Sequence, residues 1–409
     1  MANAICTPLP LFDSLNRISQ QQHASELAAS YSLEDIQKAI DFLASYKGST
    51  GTFNSYRREI ERLLHWSALV AKKSLPELKR EDIADFVAFC QKPPLTWIGY
   101  SKPARFIECE GKRIPNSEWR PFVVTVSKAA KRRGAELDNQ QFRLSQGSLR
   151  ELFAILSSFF NYLVQEEYAP INPVALIRQK SQFIRSFQSQ SKIRRLSELQ
   201  WQYVIETTRK LAEQDADNHE RTLFIMSALY AMYLRVSELA ASQRWMPKMN
   251  DFARDSDNNW WFTTVGKGNK ERQIAVSETM LVALKRWRQH LGLSLLPSAA
   301  DYTPLLPRTK GQGPITSTNY IRKIVQFAFD SAILQLQQDG FQEEAELLNE
   351  ATVHWLRHTG ISDDVKIRPR EHVRDDAGHS SGAITDRYID VELRERHLSA
   401  RKKRIFEEG

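Results

Sequence analysis

Two histidines, an arginine and a tyrosine fall within one short stretch near the end of the chain, and any fold must account for them together. The stretch reads H-W-L-R-H-T-G at 354–360, A-G-H-S-S at 377–381 and D-R-Y-I-D at 386–390. His354 and Arg357 are three apart, so on a helix they share a face. Gly378 reads as a helix stop, which sets His379 at the start of the next turn. Tyr388 follows nine residues later, just ahead of a charged tail. Brought together, these side chains can surround one phosphate.

Cutting a nucleic-acid strand without a metal takes three things. A nucleophile must attack phosphorus, fixed cations must meet the charge on the non-bridging oxygens, and the departing 5′ oxygen needs a proton. Arginine suits the clamp because its planar fork donates two parallel hydrogen bonds and keeps its charge. Two further pieces lie upstream: L-R-V-S-E-L at 234–239, holding Arg235, and G-K-G-N-K-E-R at 266–272, holding Lys267. The second is a glycine-rich turn between strand-like runs at 260–265 and 272–276. H-x-x-R alone is a weak signal, and an arginine in L-R-V-S-E-L is equally at home in a buried salt bridge. All four pieces in this order are a far stronger one.

Together these motifs resemble those of the tyrosine recombinases, the phage-integrase family, over about 145–395. The resemblance implies a phosphate clamp of Arg235 and Arg357, with Lys267 as general acid. It implies that His354 and His379 orient the phosphate and assist proton transfer. Tyr388 is then the nucleophile, leaving a 3′-phosphotyrosyl link and a free 5′-hydroxyl. That link conserves the phosphodiester energy, so no ATP, metal or other cofactor is implied. Lys270 and Arg272, beside the same turn, are expected on DNA backbone phosphates. Two positions depart from the family pattern: Tyr233 replaces a glycine two before the first arginine, and Asp376 with Ala377 replaces an apolar pair before G-H.

Charge agrees with an anionic partner. The chain has 57 Lys and Arg against 49 Asp and Glu, a net +8 over 409 residues. Cys6, Cys90 and Cys109 have no metal-ligand spacing, and Cys90, flanked by apolar residues, reads as core. His354 and His358 have a zinc-compatible i, i+4 spacing, but no Glu follows the first and no third ligand is evident. His358 therefore reads as structural, and no metal site is expected. Glu238 reads as a partner for a nearby cation or as a helix cap. No apolar run approaches the roughly 18 residues of a membrane span, and the first residues lack the pattern of a signal peptide. A cytoplasmic protein is the expectation.

The fold expected is mainly α with a small β-sheet: a helical core-binding domain followed by a mixed α/β catalytic domain. Residues 1–29 read as a loose arm and 30–177 as the helical domain. Ser32 and Asp35 begin one helix, and the stripe Leu149, Leu152, Leu156, Phe159, Phe160 and Leu163 marks another. An insertion at about 93–121 interleaves aromatic and basic residues, a pattern that binds nucleic acid or simply packs on its own domain. Lys128, Lys131, Arg132 and Arg133 form a basic cluster, read as a phosphate grip or as a solvated helix face. A polar linker at 178–195 leads to the catalytic domain at 196–392, and a charged helical tail fills 393–409. An acidic helix at about 341–350 is an addition to the minimal family pattern. The resemblance implies double-stranded DNA as partner and a homo-tetramer on two DNA sites, with tails exchanged between subunits. It leaves two alternatives: a non-catalytic DNA-binding derivative such as a repressor, and a phosphotyrosine enzyme that relaxes DNA or resolves its ends.

Overall fold

The computed structural model describes residues 6–18, 30–46, 50–126, 130, 134–178, 194–266, 268–386, 388 and 400–401. The chain divides into two compact units, Met1–Gln190 and Ser191–Gly409.

The first unit is built on helices whose starts and apolar faces are written locally. The Ser32 hydroxyl accepts the Asp35 N–H at 3.2 Å and opens α1 (Leu33–Ala44). The helices α2 (Thr50–Trp66), α3 (Arg80–Gln91), α4 (Gln146–Gln165) and α5 (Pro173–Arg178) follow among the described residues. Ser145 caps α4, and the whole 149–163 apolar stripe is buried. Phe42, Phe53, Phe86, Phe153, Phe159 and Phe160 meet in one core that includes the fully buried Cys90. Each such ring contributes about 1.5–3 kcal/mol by leaving water.

Residues 6–18 correct the expectation of a loose arm. Leu11, Phe12 and Ile18 are buried. The Glu61 carboxylate accepts the N–H groups of Leu11 and Phe12, at 2.6 and 3.3 Å. The insertion supplies the other half of this anchor. Its β1 (Ile98–Gly99) pairs in parallel with β4 (Phe122–Val123), while β2 (Phe106–Cys109) and β3 (Lys112–Pro115) form a hairpin. Glu110 and Gly111 make its two-residue turn, both at positive φ, the twist a tight hairpin requires. Arg105 pairs with Glu61 and donates to the Phe12 carbonyl at 3.1 Å, while Arg113 forks onto Asp13. Trp97, Phe106 and Trp119 are buried, and the Trp97 indole donates to the Cys6 carbonyl. The two arginines and three of the four aromatics are thus committed to their own unit. Lys102, Lys112 and Tyr100 remain exposed. The basic cluster Lys128, Lys131, Arg132 and Arg133 lies outside the described residues.

The second unit opens with α6 (Glu198–Gln214) and α7 (Ala216–Ala231), then the single turn α8 (Val236–Leu239). A three-stranded antiparallel sheet follows, in the order β5 (Phe252–Arg254), β6 (Trp260–Val265), β7 (Glu271–Ala275). Sequence pattern marked β6 and β7 and missed β5, which is too short to show an alternation. Then come α9 (Glu278–His290), α10 (Thr318–Gln338), α11 (Gln342–Leu348), α12 (Val353–Asp364), α13 (Arg370–Ala377) and α14 (Gly382–Asp386). The added acidic helix α11 holds the entrance to the unit. Its Glu344 accepts the Ser197 hydroxyl at 2.9 Å on its carboxylate and the Gln200 amide at 3.0 Å on its backbone carbonyl. No described helix is long and apolar enough to cross a membrane.

Helix α12 packs on α7 without room for a side chain at the crossing. A Cβ built on Gly360 would stand 2.1 Å from the Tyr230 carbonyl oxygen. Backbone cannot yield as a flexible side chain does, so α12 must move to admit even a methyl group. Gly360→Ala is expected to cost about 1–3 kcal/mol by overpacking, measured as a lower urea midpoint. An unchanged midpoint would show that the crossing is looser than this.

Candidate active site

The L-R-V-S-E-L motif places Arg235 at the N-cap of α8. Glu238, three residues on, reaches back so that Oε2 accepts the Arg235 N–H at 2.7 Å, while Oε1 meets the Arg235 guanidinium at 3.0 Å. Both expected roles of Glu238, cap and cation partner, occur at once. Arg272, on β7, closes the cluster by donating to Oε1 at 2.8 Å and to Oε2 at 2.9 Å. Its Nε donates to the Asp376 carbonyl at 2.9 Å. Arg272 is therefore turned inward, its side chain 10% exposed, and the reading of it as a backbone-phosphate contact is corrected. A carboxylate buried this deeply needs cations, and strand alternation turns Arg272 toward it. Burial by itself raises the Glu238 carboxyl, but Arg272 and Arg235 outweigh it and hold the group below its ordinary range.

Two glycines let this cluster close. A Cβ on Gly266 would lie 2.9 Å from Arg272 Nη1 and 3.1 Å from Glu238 Oε1. Gly378 ends α13 at φ +63°, and a Cβ there would also press on Arg272, at 2.8 Å from Cδ. Lys267 follows Gly266 and lies outside the described residues; Lys270, on the same turn, is exposed.

Helix α12 carries the second arginine. Arg357 is buried, donating to the Tyr233 carbonyl and, at 2.6 Å, to the Ala377 carbonyl. Burial, with the charge of Arg235, pulls it down to about 10, so it stays a cation at neutral pH. His354, one turn earlier and exposed at its edge, is held below the usual imidazole range by burial and by Arg322, Arg357 and Arg235. Tyr233 adopts φ +50°, the left-handed conformation that explains glycine in the family pattern.

Tyr388 is 8% exposed and lies between two imidazoles. Its ring stacks on His379 at a centroid distance of 5.6 Å, with an interplanar angle of 17°. Its hydroxyl is 2.7 Å from His358 Nδ1. Sequence reading treated His358 as structural; the only signal for this contact was its place beside Arg357, which puts it on the adjacent face of α12. The Thr385 hydroxyl and His379 Nδ1 are 2.9 Å apart, and the Thr385 carbonyl accepts the Tyr388 N–H at 2.9 Å. Arg235, His354, Arg357, His379 and Tyr388 thus come from four segments into one unit, with Glu238, Arg272 and His358 in support. Among the described residues, no group of three His, Cys, Asp or Glu side chains is placed to hold a metal ion.

No protein-family model matches the chain. It is 26% identical over 263 residues to tyrosine recombinase XerC of Thermodesulfovibrio yellowstonii, covering 61% of this chain and 73% of the relative. It is 25% identical over 265 residues to the XerC of Pediococcus pentosaceus, covering 63% and 76%. The fold is similar to that of XerH site-specific recombinase bound to palindromic difH substrate, with a TM-score of 0.53, 15% identity and 96% of each chain covered. It is also similar to the Tn1549 transposon integrase in complex with a circular intermediate DNA, with a TM-score of 0.51, 14% identity, and 90% and 98% covered. In sequence and in fold the chain is similar to the tyrosine recombinases. Its fold is mainly helical with a small sheet, as the motifs implied.

The histidines give the site a pH dependence. Burial comes first in lowering both His358 and His379, with Arg357 next, and each falls to about 4 from an ordinary 6.5. Both are therefore neutral in the folded protein at neutral pH. A depressed histidine favours folding fully above the unfolded value, and that contribution is lost as pH falls through the folded one. The thermal midpoint is expected to drop as pH falls from about 6.5 to 4, and to drop less steeply in His358→Phe. Equal slopes for the two proteins would contradict the placement of His358.

Proposed function

We propose that this chain is a site-specific recombinase, cutting double-stranded DNA through Tyr388 and rejoining it to integrate, excise or resolve a mobile element. The observation that carries the reading is the Tyr388 hydroxyl, held 2.7 Å from His358 Nδ1 in the charge field of Arg357. In the proposed step Arg235 and Arg357 hold the two non-bridging oxygens of the scissile phosphate. The phenol gives its proton to neutral His358, and its oxygen attacks phosphorus. The bond from phosphorus to the 5′ oxygen breaks as Lys267 protonates that oxygen. His354 and His379 orient the phosphate. Gly266, packed on the Arg235–Glu238–Arg272 cluster, supports the role given to Lys267, since the turn that carries it begins there. Attack by a second 5′-hydroxyl reverses the step on a new strand. Energy stays in the phosphotyrosyl link, so neither ATP nor a metal is required.

The family resemblance supports a homo-tetramer on two DNA sites with tail exchange through 393–409, the density of basic residues supports phosphate contacts from Lys128, Lys131, Arg132, Arg133 and Lys270, and the cysteine pattern fits a cytoplasmic setting. The tail, apart from 400–401, lies outside the described residues.

Nicked suicide duplexes, drawn from DNA adjoining the gene and from a bound random-sequence pool, test the reading. Wild type is expected to form a covalent protein–DNA adduct on a denaturing gel, and Tyr388→Phe none. His358→Phe is expected to slow adduct formation about 10²-fold or more, the scale of a lost proton acceptor. Tight sequence-specific binding without an adduct from wild type would instead indicate a repressor-like derivative. Relaxation without sequence preference would indicate the end-resolving or relaxing class.

A further inference from the structure

The two departures from the family pattern, Tyr233 and Asp376, are joined in the structure by one side chain. Arg368, in the connection between α12 and α13, donates from Nη1 to the Tyr233 hydroxyl at 2.9 Å and to Asp364 Oδ2 at 3.3 Å. From Nη2 it donates to Asp376 Oδ2 at 2.6 Å. The Tyr233 hydroxyl in turn donates to Asp364 Oδ2. The other oxygen of Asp376 accepts the Ala275 N–H of β7 at 3.3 Å. Tyr233 and Asp376 are buried, so neither end of this chain of bonds is a solvated surface pair.

The ends of the network are where Arg357 is held. One Arg357 nitrogen donates to the carbonyl of Tyr233 itself, and the other to the carbonyl of Ala377, next to Asp376. Between them, the two carbonyls set where the buried guanidinium points. Tyr233 also sits two residues before Arg235, in a left-handed conformation that a tyrosine adopts only against strain. A hydroxyl fixed by Asp364 and Arg368 opposes that strain in a way a glycine does not need. Asp376 passes the same tie onward, since its own carbonyl receives Arg272 Nε of the Glu238 cluster.

We propose that Arg368 is a positioning residue, which through Tyr233 and Asp376 fixes the two carbonyls that aim Arg357 at the scissile phosphate. The aim at phosphate rests on the recombinase reading above; the network itself does not. Arg368 touches no reacting atom, and its role is to replace, with a polar tie, the glycine turn and apolar helix end of the family pattern. Misplacing a clamp by a fraction of an ångström slows chemistry more than it weakens binding.

The test uses the full chain in two measurements. On a nicked duplex with which wild type forms an adduct, Arg368→Gln is expected to lower the single-turnover adduct rate about 10–100-fold. Its Kd for the uncleaved duplex should stay within about twofold, since Arg357 contributes one of many phosphate contacts. Arg368→Lys should recover part of the rate. A wild-type rate in Arg368→Gln, or a fall in binding that accounts for the whole rate loss, overturns the proposal. The second measurement needs no DNA and decides on the network even where wild type gives no adduct, an outcome that counts against the recombinase reading. Tyr233→Phe and Asp376→Asn are each expected to lower the thermal midpoint by roughly 2–4 °C for each kcal/mol lost. The double variant should fall by clearly less than the sum, because both residues act through Arg368. Additive losses would break the tie between the two residues and overturn the proposal.

Discussion

The carboxylate of Glu238, 1% exposed, is the point on which the catalytic unit closes. A charge so buried is stabilising only when its hydrogen-bonding positions are filled, and removing one partner from such a group costs about 3–5 kcal/mol. Here the fillers come from separate segments: the backbone and guanidinium of Arg235, and the fork of Arg272 from β7. Gly266 and Gly378 press against the same arginine. This explains why motifs spread over some 140 residues belong together. L-R-V-S-E-L supplies the acid and one base, the glycine turn supplies the other base, and the helix end before His379 supplies the carbonyl for Nε. The Arg235 half of the proposed phosphate clamp is thus held by an internal ion cluster.

Beside this cluster Arg235 and buried Arg357 set up a cationic field. Arg357 and Arg235 each lower the histidines around them, and Arg357 is itself lowered by Arg235. A phosphate placed among them relieves this repulsion, so anion binding and histidine protonation are coupled, each favouring the other. A neutral His358 beside the Tyr388 hydroxyl is the form able to accept a proton. The same burial that keeps it neutral keeps Tyr388 largely out of water.

Much of this was legible in the chain, because helix caps, apolar stripes and short motifs are local. Ser32 begins a helix where the pattern placed it, the 149–163 stripe is the buried face of another, and Gly378 stops one where the turn chemistry required. The parts that were not legible depend on distant partners. Nothing near Arg105 or Arg113 announces that Glu61 and Asp13 will take them and fasten residues 6–18 to the insertion. Arg272 carries the same charge as a phosphate contact and differs only in which face of β7 it occupies. Tyr233 and Asp376 looked like exceptions one at a time, and become intelligible only when Arg368 stands between them.

In the proposed reaction one tyrosine, Tyr388, carries the cut strand by its 3′ phosphate. The most direct test is chemical. The adduct from a cleavage reaction is digested with protease and nuclease, and the peptide bearing the residual nucleotide is sequenced by mass spectrometry. The expected product is a phosphotyrosyl peptide containing Tyr388, with a free 5′-hydroxyl on the released strand that a kinase can label. A nucleotide on any other residue, or a link through the 5′ phosphate, would contradict it.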